Sequence, residues 1–204
     1  MAKAAKRLPA TLGFRVKSGW AMAVLLAGPS DQPQLLKCAP ILLSDPAIPE
    51  SKQPFHATLE LPEKEARIVT KKLQKVVRDA AKESVRQLLE QARQLSLEVR
   101  GAGLVVGSMV DPATLHNEHI RAHGLEGQLF RTALEEALRA QDIRCSAMLE
   151  KNAYVSAVPV VRKSAGEIKR AIADLGEAHE GSWRAEEKLA ALGAWIALSA
   201  RKTK

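Results

Sequence analysis

TLGFRVKSGWAMAVLLAG, residues 11–28, is the stretch on which the fold turns. Leu12, Phe14 and Val16 alternate with Gly13, Arg15 and Lys17, and Ala21 to Leu26 is an unbroken apolar run. Alternation gives a strand one face of which is buried, and an unbroken run gives one covered on both sides, so the segment reads as the central strand of a sheet. Gly28-Pro29-Ser30-Asp31 turns the chain. QLLKCAPILL, 34–43, makes a second strand, where Pro40 marks an edge or a bulge. After a loop with prolines at 46, 49 and 54, Phe55 to Leu61 alternates apolar and polar residues and reads as a third strand. Short connections make the three an antiparallel meander.

Pro62 suits the first turn of a helix, and nothing breaks that helix before about Leu95, roughly 33 residues or ~50 Å. Its apolar line begins Val69, Leu73, Val76, Ala80 and continues to Leu88, Ala92 and Leu95. Opposite lie Lys64, Arg67, Lys71, Lys75, Arg78, Lys82 and Arg86, spaced three or four apart on one stripe ~33 Å long. No acid occupies a stripe position, although Glu63, Glu65, Asp79 and Glu83 stand near it. Such a face is either solvated or built to meet a polyanion.

Beyond the helix, Gly101 to Gly107 reads as a fourth, buried strand. A helix from Leu125 to Arg139 and a fifth strand from Ile143 to Leu149 follow. Ser164 and Glu167 form a capping box for a helix that ends at Gly176, and Ser182 is placed to cap a last helix over 183–199. The organisation expected is a basic tail (1–10), an α/β core (11–150), C-terminal helices packed on it (151–200) and a second basic tail (201–204).

The 204 residues suit one domain with a full core. The net charge of +8 sits mostly on the tails, at Lys3, Lys6, Arg7, Arg201, Lys202 and Lys204. Basic tails suit RNA, DNA or ribosomes, or serve solubility alone. No apolar run approaches the ~18 residues of a membrane span, and no signal-peptide core follows the N-terminus, so a cytoplasmic protein with no membrane partner is expected. Cys38 and Cys145 have no finger or redox spacing and read as two reduced thiols.

The order strand, strand, strand, helix, strand, helix, strand, helix resembles the ribonuclease-H-like fold over residues 11–150. That fold implies three antiparallel strands plus two parallel strands, helices on both faces, and a crevice between strands one and four. Leu12-Gly13-Phe14-Arg15-Val16-Lys17-Ser18-Gly19 is similar to the first strand of the Holliday-junction-resolvase-like group, with Arg15 where that group carries a metal-binding acid. A guanidinium repels a cation, so the resemblance implies that two-metal nuclease chemistry is lost. Leu59-Glu60-Leu61-Pro62, the basic helix, and Gly103-Leu104-Val105-Val106-Gly107-Ser108 with Asp111 resemble the middle domain of archaeal and eukaryotic peptide-chain release factors. The Gly-Gly-Gln triplet of those factors is absent before the helix. Binding of structured RNA is what that resemblance implies, not peptide release.

Polar residues crowd after strand four: Asp111, His116, Asn117, Glu118, His119, Arg121, His123 and Glu126. His119 and His123 would share a helix face and are the candidate metal ligands. No cofactor is expected, with a divalent metal as the alternative. Arg15 and Lys17 share one face of a strand and need a partner or a ligand. With His119 and Arg121 they would form a phosphate pocket across the crevice; the other reading is salt bridging, for instance to Glu60 or Asp111. Asp45, Glu50 and His56 form a weaker acid–base set. Glu186 and Glu187 open the last helix, where the dipole alone explains acids.

Three functions follow. The first is a nucleic-acid-binding protein without nuclease activity. It would recognise structured RNA or the ribosome, with DNA as a lesser partner, and use Arg15, Lys17, Lys64, Arg67, Lys71, Lys75, Arg78, Lys82, Arg86 and Arg121. The second is a metal-dependent hydrolase or nuclease with a non-standard site of Asp111, His119, His123 and Glu186. The third is a module that binds a phosphate-bearing metabolite or a protein.

Overall fold

A computed structural model describes residues 7–177 and 179–200. Five strands form one mixed sheet in the order β3-β2-β1-β4-β5. These are β1 (Leu8–Lys17), β2 (Trp20–Ala27), β3 (Gln34–Leu42), β4 (Leu97–Val106) and β5 (Arg144–Leu149). β2 runs antiparallel to β1 and β3, whereas β4 is parallel to β1 and to β5. The helices are α1 (Glu63–Gln94), α2 (Glu118–Arg139), α3 (Ala153–Ala157), α4 (Ala165–Asp174) and α5 (Ala185–Ser199). This α/β arrangement, three antiparallel strands extended by two parallel ones, is the ribonuclease-H-like fold. Among the described residues no helix is long and apolar enough to cross a membrane. Of the basic tail residues only Arg7 is described; Lys3, Lys6, Arg201, Lys202 and Lys204 lie outside the described residues.

The first three strands are not the ones expected. Residues 11–28 fold back on themselves: Lys17 pairs with Trp20 across a Ser18-Gly19 turn, with Gly19 at φ 81°. A two-residue hairpin loop needs a positive φ, which glycine supplies without strain. Phe55 to Leu61 is not a strand. It holds a 3₁₀ turn at His56–Thr58, where the Thr58 hydroxyl donates to the carbonyls of Pro54 (3.3 Å) and Phe55 (3.1 Å). Seven alternating residues are too few to distinguish a strand from such a turn. The two errors cancel, so the strand count and order survive.

Alternation along β1 sends its side chains to two cores. Leu12, Phe14 and Val16 pack with α1 (Val77, Ala81, Val85) and α2 (Leu129, Phe130, Leu134). Thr11 and Gly13 face α5: the Thr11 hydroxyl donates to the Ala194 carbonyl at 2.8 Å, and Ala190 and Ala194 crowd Gly13. On that side Val24, Leu26 and Val105 meet Trp195, Ile168 and Ile172. Trp195 and Trp183 both anchor loops, donating from Nε1 to Ser30 and Ile172 carbonyls at 2.7 Å each.

α1 buries Leu73, Val77, Ala81, Val85, Leu88, Leu89 and Ala92. Val69, Val76 and Ala80, expected on this line, are only half-buried, and Leu95 is exposed. β4 starts four residues before the expected Gly101, because Ser96 at φ 58° ends α1 in a single tight reversal. α2 starts seven residues before the expected Leu125: the Asn117 side chain accepts from Ile120 N at 3.0 Å, and Asn is a strong helix cap. The Ser164–Glu167 capping box forms as expected. Ser182 caps nothing; Arg184 stands at the N-cap of α5, and its backbone N–H is held by Glu187 at 2.9 Å. Cys38 lies on β3 and Cys145 on β5, the opposite edges of the sheet, and both are free thiols. Burial pushes the Cys38 thiol up to about 11, so it resists ionisation.

Candidate functional site

The crevice of a parallel sheet lies beyond the C-terminal ends of its strands. Here those ends are Lys17 of β1, Val106 of β4 and Leu149 of β5. Arg15 is level with Val105 of β4, which is level with Met148 of β5. Its side chain points to the α5 face, as Gly13 does. There the Arg15 guanidinium pairs with Glu150, the residue just past β5, and donates to the Val16 carbonyl at 3.0 Å. Arg15 is only 4% exposed. Lys17 reaches Glu186 at the start of α5, 3.2 Å away.

Two acids and two bases are therefore paired at the mouth of the crevice. Ribonuclease-H-like nucleases hold divalent ions at this place with carboxylates. The residues present do not fit such ions: Glu150 and Glu186 each already pair with a cation, and a guanidinium or ammonium cannot ligate a metal. The salt bridging expected for Arg15 and Lys17 is present, but its partners are Glu150 and Glu186 rather than Glu60 or Asp111.

The phosphate pocket does not form. Arg15 lies on the α5 side of the sheet, and α2, which carries His119 and Arg121, packs on the other. Buried and paired, Arg15 is an internal cation that offers little surface to a ligand. The composite hydrolase site does not form either. The Asp111 side chain caps a 3₁₀ turn, accepting from Ala113 N at 3.0 Å, and Glu186 sits across the sheet from the histidines. Asp45 accepts from Ala47 N within its own loop, leaving no acid–base set with His56.

Glu186 is held below the ordinary glutamate range, first by its hydrogen bond from Lys17; burial opposes this, and a backbone hydrogen bond with the charges of Lys17 and Arg15 adds smaller lowering effects. A carboxylate with a depressed folded pKa contributes stability above its unfolded pKa and loses it as pH falls through the folded value. Lys17→Met is therefore expected to move the Glu186 midpoint upward in a carboxylate NMR titration. An unchanged midpoint would show that the pair does not form in solution.

The α1 stripe faces solvent along its length, and it is not uniform. Arg78 is half-buried beside Glu136 (3.3 Å); Lys75 and Lys82 flank Asp79 at 2.5 and 4.0 Å; Arg86 binds Glu83 through two nitrogens at 2.8 and 2.7 Å. Glu83 is held at about 2, chiefly by the Arg86 hydrogen bond, so this half is neutralised. At the N-terminal half, Lys64, Arg67 and Lys71 are exposed and have no acidic partner among the described residues. With Ile68 and Glu63 they line a shallow hollow.

A third constellation joins segments far apart in sequence. His119 and His123 stand one turn apart on α2, and His56 comes over from the 3₁₀ turn before α1. Their ring centroids are 4.2 to 4.8 Å apart. Glu126, fully buried on α2, holds His56 through its ring Nδ1 (2.8 Å) and its backbone N–H (3.3 Å). Neither His56 nor Glu126 was identifiable as a partner, since 70 residues separate them. The positions of His119 and His123 on one helix face were legible from their spacing.

No family model matches the chain, and no curated protein matches it. Among solved structures it is similar to RuvC of Thermus thermophilus, with 10% identity, 92% of each chain covered and a TM-score of 0.49. It is similar also to T. thermophilus RuvC in complex with a Holliday junction substrate, at 10% identity, 92% of this chain and 90% of that one, and a TM-score of 0.49.

Proposed function

We infer that the protein binds nucleic acid, structured RNA or the ribosome ahead of DNA, and does not cut it. The observation that carries binding is the set of Lys64, Arg67 and Lys71, exposed on one helix face without acidic partners among the described residues. They span about 10 Å of helix, a reach that meets successive phosphates of one backbone. Their neighbours further along α1 have their charge cancelled, so the contact is local to the start of the helix. The absence of cutting is supported by Arg15 with Glu150 and Lys17 with Glu186 at the place where carboxylates would hold ions.

The test is fluorescence anisotropy at low salt with labelled structured RNA and a four-way DNA junction, followed by incubation with Mg²⁺ or Mn²⁺. The expected outcome is binding that weakens steeply with salt, tighter for RNA, and intact probes after incubation. Failure to bind either probe at about 50 mM salt would refute the reading, because phosphate contacts are strongest there. So would metal-dependent cleavage that Glu150→Gln abolishes.

A further inference from the structure

We propose that His56, His119 and His123 form a binding site for one divalent transition-metal ion of the zinc class, positioned by the buried carboxylate of Glu126. The site is independent of the nucleic-acid reading and lies on the opposite face of the sheet from the Arg15 crevice.

Each of the three imidazoles offers a ring nitrogen, and the three nitrogens lie within 4.8 Å of one another. Three nitrogens around a tetrahedral ion at 2.0–2.1 Å sit about 3.3 Å apart, so closure needs only side-chain rotation. Two observations separate this from chance crowding of surface histidines. The first is Glu126. It is 0% exposed, its Oε1 accepts from His56, and its Oε2 has no hydrogen bond among the described residues; His123 Nδ1 is 3.9 Å away. A carboxylate with no access to water calls for a compensating positive charge nearby. The second is His56. Its Nδ1 is on Glu126, while its Nε2 is buried and has no hydrogen-bond partner among the described residues. A carboxylate on one ring nitrogen with the other left free is the arrangement by which proteins orient histidine toward zinc.

Nitrogen-only ligation selects zinc, cobalt, nickel or copper over magnesium or calcium. His119 and His123 are exposed, so the fourth coordination position faces solvent. Glu126 touches no ion and acts through His56, which makes it a positioning residue.

The experiment titrates chelator-treated protein with Co²⁺ and reads the visible absorption of a four-coordinate complex, with bound zinc counted separately by mass spectrometry. The expected result is saturation at one equivalent. His119→Ala and His123→Ala each abolish the band while leaving the melting temperature in chelator unchanged, since both side chains are exposed. His116→Ala, an exposed histidine outside the cluster, retains it. Glu126→Gln weakens affinity roughly 10- to 100-fold, and Glu126→Asp recovers part of the loss. Absence of a band at one equivalent would overturn the proposal, as would a band that persists in both His119→Ala and His123→Ala.

Discussion

Changing Lys64, Arg67 and Lys71 together to glutamate is expected to lower nucleic-acid affinity about 100-fold at low salt and to flatten its salt dependence. Each phosphate that a cation neutralises releases close to one counterion, so three lost contacts reduce the slope of log affinity against log salt by about 3. The single substitutions sharpen the comparison. Arg67→Gln removes a guanidinium with no acidic partner among the described residues and costs about one unit of slope. Arg86→Gln removes one already bound twice by Glu83, and leaves slope and affinity nearly unchanged. Equal losses from Arg67→Gln and Arg86→Gln would mean that the whole stripe is used and that the pairs along it open on binding.

The other large effect is on stability. Gly13→Ala is expected to cost about 3 kcal/mol, the top of the usual range for overpacking. A Cβ at Gly13 would stand 1.9 Å from the Ala190 carbonyl oxygen and 2.4 Å from Ala194 N, both backbone atoms of α5. Backbone cannot rotate aside, so the helix must lift from the sheet. Gly103 meets the same obstacle, 2.2 Å from the Gly193 carbonyl oxygen. Urea unfolding should report a lower midpoint with an unchanged slope. Gly166→Ala, in α4 with nothing within 4 Å, serves as the control and should be neutral or stabilising by about 0.5–1 kcal/mol. A Gly13→Ala protein as stable as the parent would mean that α5 is not seated on β1, and the Lys17–Glu186 pair at its N-terminus would lose its support.

Local pattern carried much of the architecture. Leu12, Phe14 and Val16 declared a buried face, the α1 stripe declared an exposed one, and Ser164 with Glu167 declared a helix start. What failed was local in a different sense. Ser18-Gly19 turns the chain within a run that hydrophobicity alone makes continuous, and Phe55 to Leu61 alternates without pairing to anything. The site failed for another reason. Arg15 meets Glu150 over 135 residues and His56 meets Glu126 over 70, and no periodicity reaches that far. Arg15 could be recognised as a cation in a strand that needed a partner. Which acid it met, and that α5 rather than α2 covers its face, depended on how the helices distribute over the sheet.

The proposed loss of cutting requires that Arg15 and Lys17, by pairing with the carboxylates of the crevice, keep divalent ions out of it. Anomalous diffraction from a crystal soaked in Mn²⁺ measures this directly. The predicted map has no peak beside Glu150 or Glu186. A peak bridging those two carboxylates, with Arg15 swung away, would show that the crevice admits the ions a nuclease needs.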